Sequence, residues 1–251
     1  MKISIITVCF NAAGTIGDTL ASVAGQSWQE REHVVVDGAS NDGTRELLER
    51  HRGQLSAFVS EPDDGLYHAM NKGIRLATGD FVGFLNSDDV FADERSLGRI
   101  AEALAPGDVD ACYGDLVYVD SRDTSRVVRY WRSRAYAPGL VARGWMPAHP
   151  TFYIRRDILL AEGGFDLRYR FQSDYELMIR LFERRRIRVR YIPEVLVRMR
   201  TGGHTNRSVG NVVRGNLEAW RAWREHGLGR SPFFMVRKVM SRLPQFFDRI
   251  R

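Results

Sequence analysis

The chain has 251 residues, of which 44% are hydrophobic and 27% charged, a globular composition that excludes an intrinsically disordered chain. Its formal charge is +6, but residues 230–251 hold six basic residues and one acid, so the other 229 residues have a net charge of only +1. This distribution does not indicate a nucleic-acid binder. The only two cysteines, Cys9 and Cys112, lie in apolar runs without disulfide or zinc spacing, so we expect buried thiols. No apolar run is long enough to cross a bilayer, and Met1 leads directly into a strand pattern without a signal peptide. These features predict a cytoplasmic protein.

Strand and helix patterns alternate over the first 89 residues, which predicts parallel strands joined by right-handed crossovers. The predicted strands are 2–8, 33–36, 55–60 and 81–85, and the predicted helices are 15–25, 44–51 and 67–77. In such sheets ligands bind beyond the carboxyl ends of the strands. The residues that should gather along this edge are Thr7, Asn11, Asp37, Ser40, Asp42 and Asp88.

The tip of the fourth predicted strand, at 86–89, carries two adjacent carboxylates, Asp88 and Asp89. Adjacent carboxylates repel one another unless a cation or hydrogen bonds hold them. Hard oxygens on a short turn suit Mg²⁺ or Mn²⁺ that also grips a diphosphate. Because earlier strands also end in acidic clusters, the sequence predicts a nucleotide–metal site. The alternative is a solvated turn in which one aspartate caps the helix that starts near Glu94.

Four sequence blocks at this edge, in this order, resemble those of family 2 glycosyltransferases of the GT-A fold, an inverting group that uses nucleotide sugars. The blocks are 5–11, 36–44, 69–73 with 79–80, and 84–89. The resemblance implies an α/β fold with a mostly parallel central sheet flanked by helices, and a C-terminal helical tail. The implied domain spans 1–229, with a nucleotide-binding half at 1–89, an acceptor-binding half at 90–229, and the tail at 230–251.

The resemblance also implies which residues bind the nucleotide sugar. Those that line the base and ribose pocket or support its loop are Thr7, Phe10, Asn11, Asp37, Ser40 and Asp42, with Asp37 reading the base edge. Those near the ribose and diphosphate are Asp64, Lys72, Asn86, Ser87 and Asp88. Asp88 would be the metal-binding carboxylate of the D-x-D motif, with Mn²⁺ or Mg²⁺ as cofactor. The first aspartate of that motif is Asn86 here, which keeps a hydrogen-bonding oxygen but lacks the charge.

The second half has a looser pattern, with a predicted helix at 94–104 and predicted strands at 110–115, 116–120, 126–131, 187–191 and 195–199. Asp115 and His149 are predicted to face the acceptor, and a structural hydrogen bond is the alternative for His149. Asp174 matches the general base of the family and, by that resemblance, is expected to be the catalytic residue. The structural alternative for this segment is a capping box in which Ser173 and Glu176 close the helix start.

Two features near the C-terminus have open alternatives. His204, in a glycine-rich loop, is predicted to contact the metal or a phosphate, and the alternative is a solvated histidine. Residues 233–251 interleave apolar and basic side chains at helical spacing, which favours an interfacial helix on anionic lipid at the inner face of the plasma membrane. A helix docked on its own domain or on a partner explains the same pattern.

The predicted activity is sugar transfer from a nucleotide diphosphate sugar to a hydroxyl of a glycan or lipid-linked acceptor, in cell-surface polysaccharide or lipid-linked glycan synthesis. A sugar-1-phosphate nucleotidyltransferase is an enzyme alternative, but residues 9–14 lack the glycine-rich basic loop it requires. A non-catalytic sugar-nucleotide-binding module is the other alternative. A nucleic-acid partner is not expected, because acidic strand tips repel phosphate in the absence of a metal.

Overall fold

A single mixed β-sheet forms the centre of the structure, a computed structural model that describes residues 1–202, 209–229 and 238. The strands are β1 (Ile3–Cys9), β2 (Arg31–Asp37), β3 (Ala57–Ser60), β4 (Phe81–Phe84), β5 (Val90–Phe91), β6 (Ala111–Val119), β7 (Val127–Trp131), β8 (Tyr153–Arg155) and β9 (Val189–Arg200). The helices are α1 (Ile16–Ala24), α2 (Thr44–Arg50), α3 (Leu66–Leu76), α4 (Ser96–Leu104), α5 (Arg156–Ala161), α6 (Ser173–Met178) and α7 (Val209–Glu225). A π-helical segment, Ile179–Arg184, continues α6, and short 3₁₀ turns occupy Arg52–Gln54, Val141–Arg143 and His149–Thr151.

The first half of the sheet is parallel, as predicted. Its strand order is β3-β2-β1-β4, and the crossovers are the helices α1, α2 and α3. The register pairs Cys9 with Asp37 and Asp37 with Ser60, so three strands end at the same level. This alignment brings the polar residues that follow each strand to one edge of the sheet.

The second half of the sheet mixes parallel and antiparallel pairs. The order continues β4-β8-β6-β9-β5, with β7 paired to β6, and among the described strands of this half the β6–β9 pair is the parallel one. The predicted strands 110–115 and 116–120 form one strand, β6, and 187–191 and 195–199 form one strand, β9. The predicted strand pattern is interrupted at Pro193. Around this residue the pairing of β9 with β6 shifts register, so that Tyr113 pairs with Tyr191 and Asp115 pairs with Val195.

Apolar side chains cover both faces of the sheet. Helices α3, α6 and α7 pack on one face, and α1, α2 and α4 pack on the other. Gly83 in β4 is required by this packing, since a Cβ there would lie 2.2 Å from the ring of Tyr153. Cys9 and Cys112 are buried free thiols, as predicted. Within the described ranges, no helix combines the length and hydropathy needed to cross a membrane.

The structure describes one residue of the C-terminal tail, Lys238. Its side chain is buried, with Nζ 2.5 Å from Gln172 Oε1 and 4.6 Å from the centroid of the Tyr175 ring. At this residue the tail contacts its own domain next to α6. The other residues of 230–251 lie outside the described part of the chain.

Candidate active site

The loop after β2 is built around the buried carboxylate of Asp37. One oxygen accepts the Ser40 hydroxyl at 2.5 Å and the Cys9 thiol at 3.5 Å, and the other accepts the Ser40 amide at 3.1 Å and the Ser60 hydroxyl at 2.6 Å. A carboxylate offers about four acceptor sites, so these donors fill it. In this structure the Asp37 side chain holds the loop, and its predicted contact with the base edge stays a prediction.

The same loop is tied to the turn after β1. The Asn11 amide donates to Ser40 Oγ at 2.8 Å, and the Asn41 amide donates back to Asn11 Oδ1 at 3.0 Å. Asp42 accepts the Ala13 amide at 3.0 Å and the Thr44 hydroxyl at 2.5 Å, and the bond from Thr44 is the main reason that its pKa is lowered. These bonds fix two neighbouring backbone turns at the carboxyl edge of the sheet.

Phe10 and Thr7 have different surroundings, although Thr7 lies in β1 and Phe10 directly follows this strand. Phe10 is 62% exposed beside the loop after β2, where an aromatic ring can stack on a planar base. Thr7 is fully buried, and its hydroxyl lies 2.9 Å from His33 Nε2. The Thr7 side chain therefore packs inside the domain, and the prediction that this residue lines the base and ribose pocket stays a prediction.

The acidic tip after β3 binds Lys72 of α3. Lys72 Nζ lies 2.8 Å from Asp63 Oδ1 and 2.6 Å from Glu61 Oε1. Asp63 is the inward-facing aspartate of the Asp63-Asp64 pair, since its side chain is only 6% exposed and Asp64 is exposed. In this structure the Lys72 ammonium is paired with Asp63 and Glu61 within the loop, and the positions of Asp64 and Lys72 near the ribose and diphosphate stay predictions.

The loop after β4 is held by bonds inside the domain. The Asn86 amide donates to Asp89 Oδ2 at 3.1 Å, and the backbone amide of Arg200 donates to the other Asp89 oxygen at 3.3 Å. Asp89 is 1% exposed, and burial, reinforced by the Asp88 carboxylate, raises its pKa well above the usual range. The alternative in which an aspartate of this loop caps the next helix is wrong, because α4 begins at Ser96 and its N-cap residue is Arg95.

Arg200, at the end of β9, braces the same loop from the side. Its Nη1 donates to the Asp88 carbonyl oxygen at 2.8 Å, and its Nη2 lies 2.5 Å from Asp18 Oδ2. The Thr19 hydroxyl donates to the Asp89 carbonyl oxygen at 2.8 Å from the opposite side. These contacts set the course of the backbone on which Ser87 and Asp88 lie.

Asp88 is the half-buried carboxylate of this loop, whereas Asp89 is buried and paired with Asn86. Within residues 1–202, 209–229 and 238, no three His, Cys, Asp or Glu side chains are arranged to hold a metal. Mg²⁺-type sites commonly take one or two carboxylates and complete their shell with water and substrate phosphates. One carboxylate at Asp88 fits such a site. His204, the second predicted ligand, lies outside the described residues.

The candidate base, Asp174, lies in the first turn of α6. Its Oδ1 accepts the Tyr67 hydroxyl at 3.1 Å and the Tyr175 amide at 2.8 Å. The predicted capping box is absent, because the Ser173 hydroxyl donates to the Asp166 carbonyl oxygen. The other predicted member of that box, Glu176, pairs with Arg180 and His226 inside the domain.

Aromatic rings connect the loop after β4 to the candidate base. Phe84 stacks on His149 with centroids 5.4 Å apart, and His149 meets Phe165 edge-on at 5.8 Å. Phe165 in turn contacts Tyr67 at 5.2 Å, and Tyr67 binds Asp174. Burial lowers the pKa of His149, with the Asp174 carboxylate opposing the shift. His149 therefore lies between the candidate metal loop and the candidate base, in an aromatic environment.

Asp115, the other predicted acceptor residue, is 2% exposed. Its oxygens accept the hydroxyls of Tyr130 and Tyr191 at 2.5 and 2.8 Å and the amide of Ser133 at 2.7 Å. Burial raises its pKa, and the tyrosine bonds oppose that shift. Asp115 therefore anchors the segment after β7 to the sheet, and its contact with an acceptor stays a prediction.

Sequence reasoning missed three side chains that organise this region, namely Tyr67, Arg200 and Glu218. Glu218 of α7 accepts the backbone amides of residues 170, 171 and 172 at 3.1, 2.7 and 3.1 Å, just before α6. All three act across long sequence separations, so no local pattern reveals them. The only local signal was the position of Tyr67 at the start of α3, beside the acidic tip of β3.

Comparison with known proteins identifies the family. The profile of glycosyl transferase family 2 matches residues 4–166. The chain belongs to this family. This glycosyltransferase is 31% identical over 196 residues to the PGL/p-HBAD biosynthesis glycosyltransferase of Mycobacterium bovis, covering 77% of this chain and 74% of that protein. Membership of this family favours glycosyl transfer over the alternative activity, sugar-1-phosphate nucleotidyl transfer.

Solved structures establish the same fold for this glycosyltransferase. The S. aureus TarS fragment 1–349 in complex with UDP superposes with a TM-score of 0.70 at 18% identity, over 97% of this chain and 72% of that one. The mannosyltransferase PcManGT of Pyrobaculum calidifontis, in complex with GDP-Man and Mn²⁺, gives a TM-score of 0.65 at 20% identity, over 97% and 70%. The predicted GT-A fold class is confirmed, with a sheet that is mixed beyond its fourth strand.

Proposed function

We propose that this family 2 glycosyltransferase moves a sugar from a nucleotide diphosphate sugar to an acceptor hydroxyl with inversion at the anomeric carbon. The observation that carries the proposal is the chain of contacts from Phe84 through His149, Phe165 and Tyr67 to Asp174. It links the acidic loop after β4 to a carboxylate on α6. A donor site and a proton acceptor beside one aromatic wall are what a single displacement requires.

The nucleotide binds at the carboxyl ends of β1 and β2 in this proposal. Phe10 is exposed there, and the turns that contain Asn11 and Ser40 are cross-linked by hydrogen bonds. Ser40 and Asp42 support those turns, and Asp37 supports Ser40. The diphosphate then extends toward the loop after β4, in line with the binding edge of parallel sheets.

Transfer follows from the positions of the carboxylates. Asp174 accepts the proton of the acceptor hydroxyl while the hydroxyl oxygen bonds to the anomeric carbon, and the bond from that carbon to the diphosphate oxygen breaks. The electron pair of that bond leaves with the nucleoside diphosphate. His149, which is half-buried, packs on the buried ring of Phe165 and lies beside the path from the loop after β4 to Asp174.

Asp88 would hold a divalent cation, Mn²⁺ or Mg²⁺, at the diphosphate. When bound, such an ion offsets the negative charge of the departing diphosphate as a Lewis acid. The single half-buried carboxylate supports this assignment, and so does the brace that Arg200 and Thr19 give to its backbone. The relative that binds GDP-Man with Mn²⁺ supports a divalent ion in general and does not choose between the two.

We propose a cell-surface glycan or lipid-linked acceptor, supported by the PGL/p-HBAD biosynthesis relative. Peripheral contact with anionic lipid through residues 230–251 stays part of this proposal, because that segment has five basic residues and one acid besides Lys238, which is buried against its own domain. Deleting 230–251 should release the protein from anionic liposomes in a sedimentation assay. Undiminished sedimentation would exclude the tail as the anchor.

Two matched pairs of variants test the assignment of the two carboxylates. Asp88→Ala should abolish metal-dependent thermal stabilisation by UDP, GDP or dTDP, whereas Asp80→Ala, an acid at the opposite end of β4, should retain it. Asp174→Asn should keep nucleotide binding and lose transfer. Its control is Asp157→Asn, since Asp157 also lies in the first turn of a helix and accepts the amide of the next residue at 2.8 Å. Full transfer by Asp174→Asn, or normal metal-dependent binding by Asp88→Ala, would overturn the respective role.

A further inference from the structure

We infer that Tyr67 is a positioning residue that orients the Asp174 carboxylate, an inference that rests on the proposed role of Asp174 as the base. Tyr67 is the second residue of α3 and is 7% exposed. Its hydroxyl lies 3.1 Å from Asp174 Oδ1 and 3.3 Å from the Phe171 carbonyl oxygen. A phenol has one proton to donate, and a carboxylate is a stronger acceptor than a carbonyl. The proton of Tyr67 is therefore directed at Asp174.

The two oxygens of Asp174 differ in their surroundings. Oδ1 receives both the Tyr67 hydroxyl and the Tyr175 amide, the latter at 2.8 Å. Within residues 1–202, 209–229 and 238, Oδ2 receives no hydrogen bond. The two donors fix the rotation of the carboxyl group, and Oδ2 is the oxygen that remains to take a proton from the acceptor. Tyr67 thus selects which oxygen acts as the base.

Tyr67 is held rigidly enough for this task. Its ring contacts Phe165 with centroids 5.2 Å apart. Asn71, one turn along α3, donates to the Phe165 carbonyl oxygen and accepts the Phe165 amide, both at 2.8 Å. Glycine at position 164 permits this pair of hydrogen bonds between Asn71 and Phe165, because its φ is +70° and a Cβ there would lie 2.4 Å from Asn71 Oδ1. The hydroxyl therefore has a fixed position relative to α6.

The segment that carries Asp174 is fixed from the other side by α7. Glu218 accepts the Phe171 amide at 2.7 Å and the amides on either side of it. The ionisable groups around Asp174 are Tyr67 of α3, His149 of the 3₁₀ turn, Glu218 of α7 and Lys238 beside α6. Of these, Tyr67 is the one with a hydrogen bond to the Asp174 carboxylate, so removing its hydroxyl tests that bond.

Tyr67→Phe removes that hydroxyl and keeps the ring that packs on Phe165. A hydrogen bond to a charged group corresponds to roughly a tenfold to hundredfold effect, so we expect kcat to fall by about tenfold with little change in the KM of the donor. Tyr136→Phe is the matched control, because the Tyr136 hydroxyl donates to the Phe182 carbonyl oxygen at 3.3 Å, away from Asp174.

A double-mutant cycle separates orientation of the base from a general loss of stability. If Tyr67 acts through Asp174, Tyr67→Phe should not lower further the residual rate of the Asp174→Asn enzyme. An equal loss in both backgrounds, or a Tyr67→Phe enzyme with the wild-type kcat, would overturn the inference. Wild-type transfer by Asp174→Asn alone would refute the base assignment itself, and so distinguishes that failure from this one.

Discussion

Substitution of Arg200 by methionine tests whether the loop after β4 depends on its brace. The change keeps an unbranched apolar stem but removes the guanidinium, whose side chain is 8% exposed. Two contacts are lost, one to the Asp88 carbonyl oxygen at 2.8 Å and one to Asp18 at 2.5 Å. The backbone amide that donates to Asp89 remains. The perturbation therefore acts on the course of the loop and on the charge beside it.

The size of the effect follows from the surroundings of each contact. The bond to the Asp88 carbonyl comes from a buried charged donor and is worth about 1.5–3 kcal/mol. The Asp18 carboxylate is 63% exposed, so its pair with Arg200 adds at most about 1 kcal/mol. Since 1.4 kcal/mol corresponds to tenfold, we expect metal-dependent nucleotide binding to weaken by about tenfold to a hundredfold.

The assay is isothermal titration of a nucleoside diphosphate with Mn²⁺ or Mg²⁺ present, together with thermal unfolding. Arg198→Met is the matched control, because Arg198 lies on the same strand and donates to the carbonyl oxygens of Ala92 and Thr124 at 3.3 and 3.1 Å. We expect both variants to lose stability, and only Arg200→Met to lose binding. Wild-type binding by Arg200→Met, or an equal loss in both variants, would refute the reasoning.

Two further predictions concern stability. Gly83→Ala places a methyl group 2.2 Å from the Tyr153 ring and should cost about 1–3 kcal/mol of unfolding free energy in urea titration, whereas Gly53→Ala, with no atom within 4 Å, should be nearly neutral. An equally mild effect at both glycines would contradict the packing. Although burial opposes ionisation, hydrogen bonds from a lysine, a serine and a threonine lower the pKa of Glu32 from 4.5 to about 2. The carboxylate therefore stabilises the fold above pH 4.5 and loses that contribution as the pH falls toward 2. Glu32→Gln should lower stability near neutral pH by roughly 2 kcal/mol and flatten its decline in acid, and an unchanged acid profile would exclude this origin.

The sequence predicts the parallel half of the fold well because its signals there are local and repeated. β-Branched runs, amphipathic helices and polar strand ends each determine one element, and the crossover rule then aligns those ends at one edge. In agreement with that rule, Cys9 pairs with Asp37 and Asp37 pairs with Ser60, so the three strands end at the same level. In the second half, β5 and β8 have only two and three residues, which is too short for a distinct pattern.

The roles of individual side chains were less predictable because they depend on which way each side chain turns. Asp63 and Asp64 are adjacent in sequence, yet only Asp63 turns inward to Lys72. Asp37 lies at the predicted edge, but four neighbouring donors fill its oxygens. Asp115 ends a predicted strand, and in the structure it lies inside one. In each case hydrogen-bond partners from distant segments decide the role.

The most direct test of the proposed site is a crystal structure with a nucleoside diphosphate and Mn²⁺, with the ion located by its anomalous scattering. The proposal predicts one anomalous peak at about 2.0–2.6 Å from an Asp88 carboxylate oxygen. The nucleobase of the bound nucleotide should lie at the ends of β1 and β2 beside Phe10, and its diphosphate should point toward His149 and Asp174. A nucleotide bound away from this edge, or an ion held by other carboxylates with Asp88 unliganded, would contradict it.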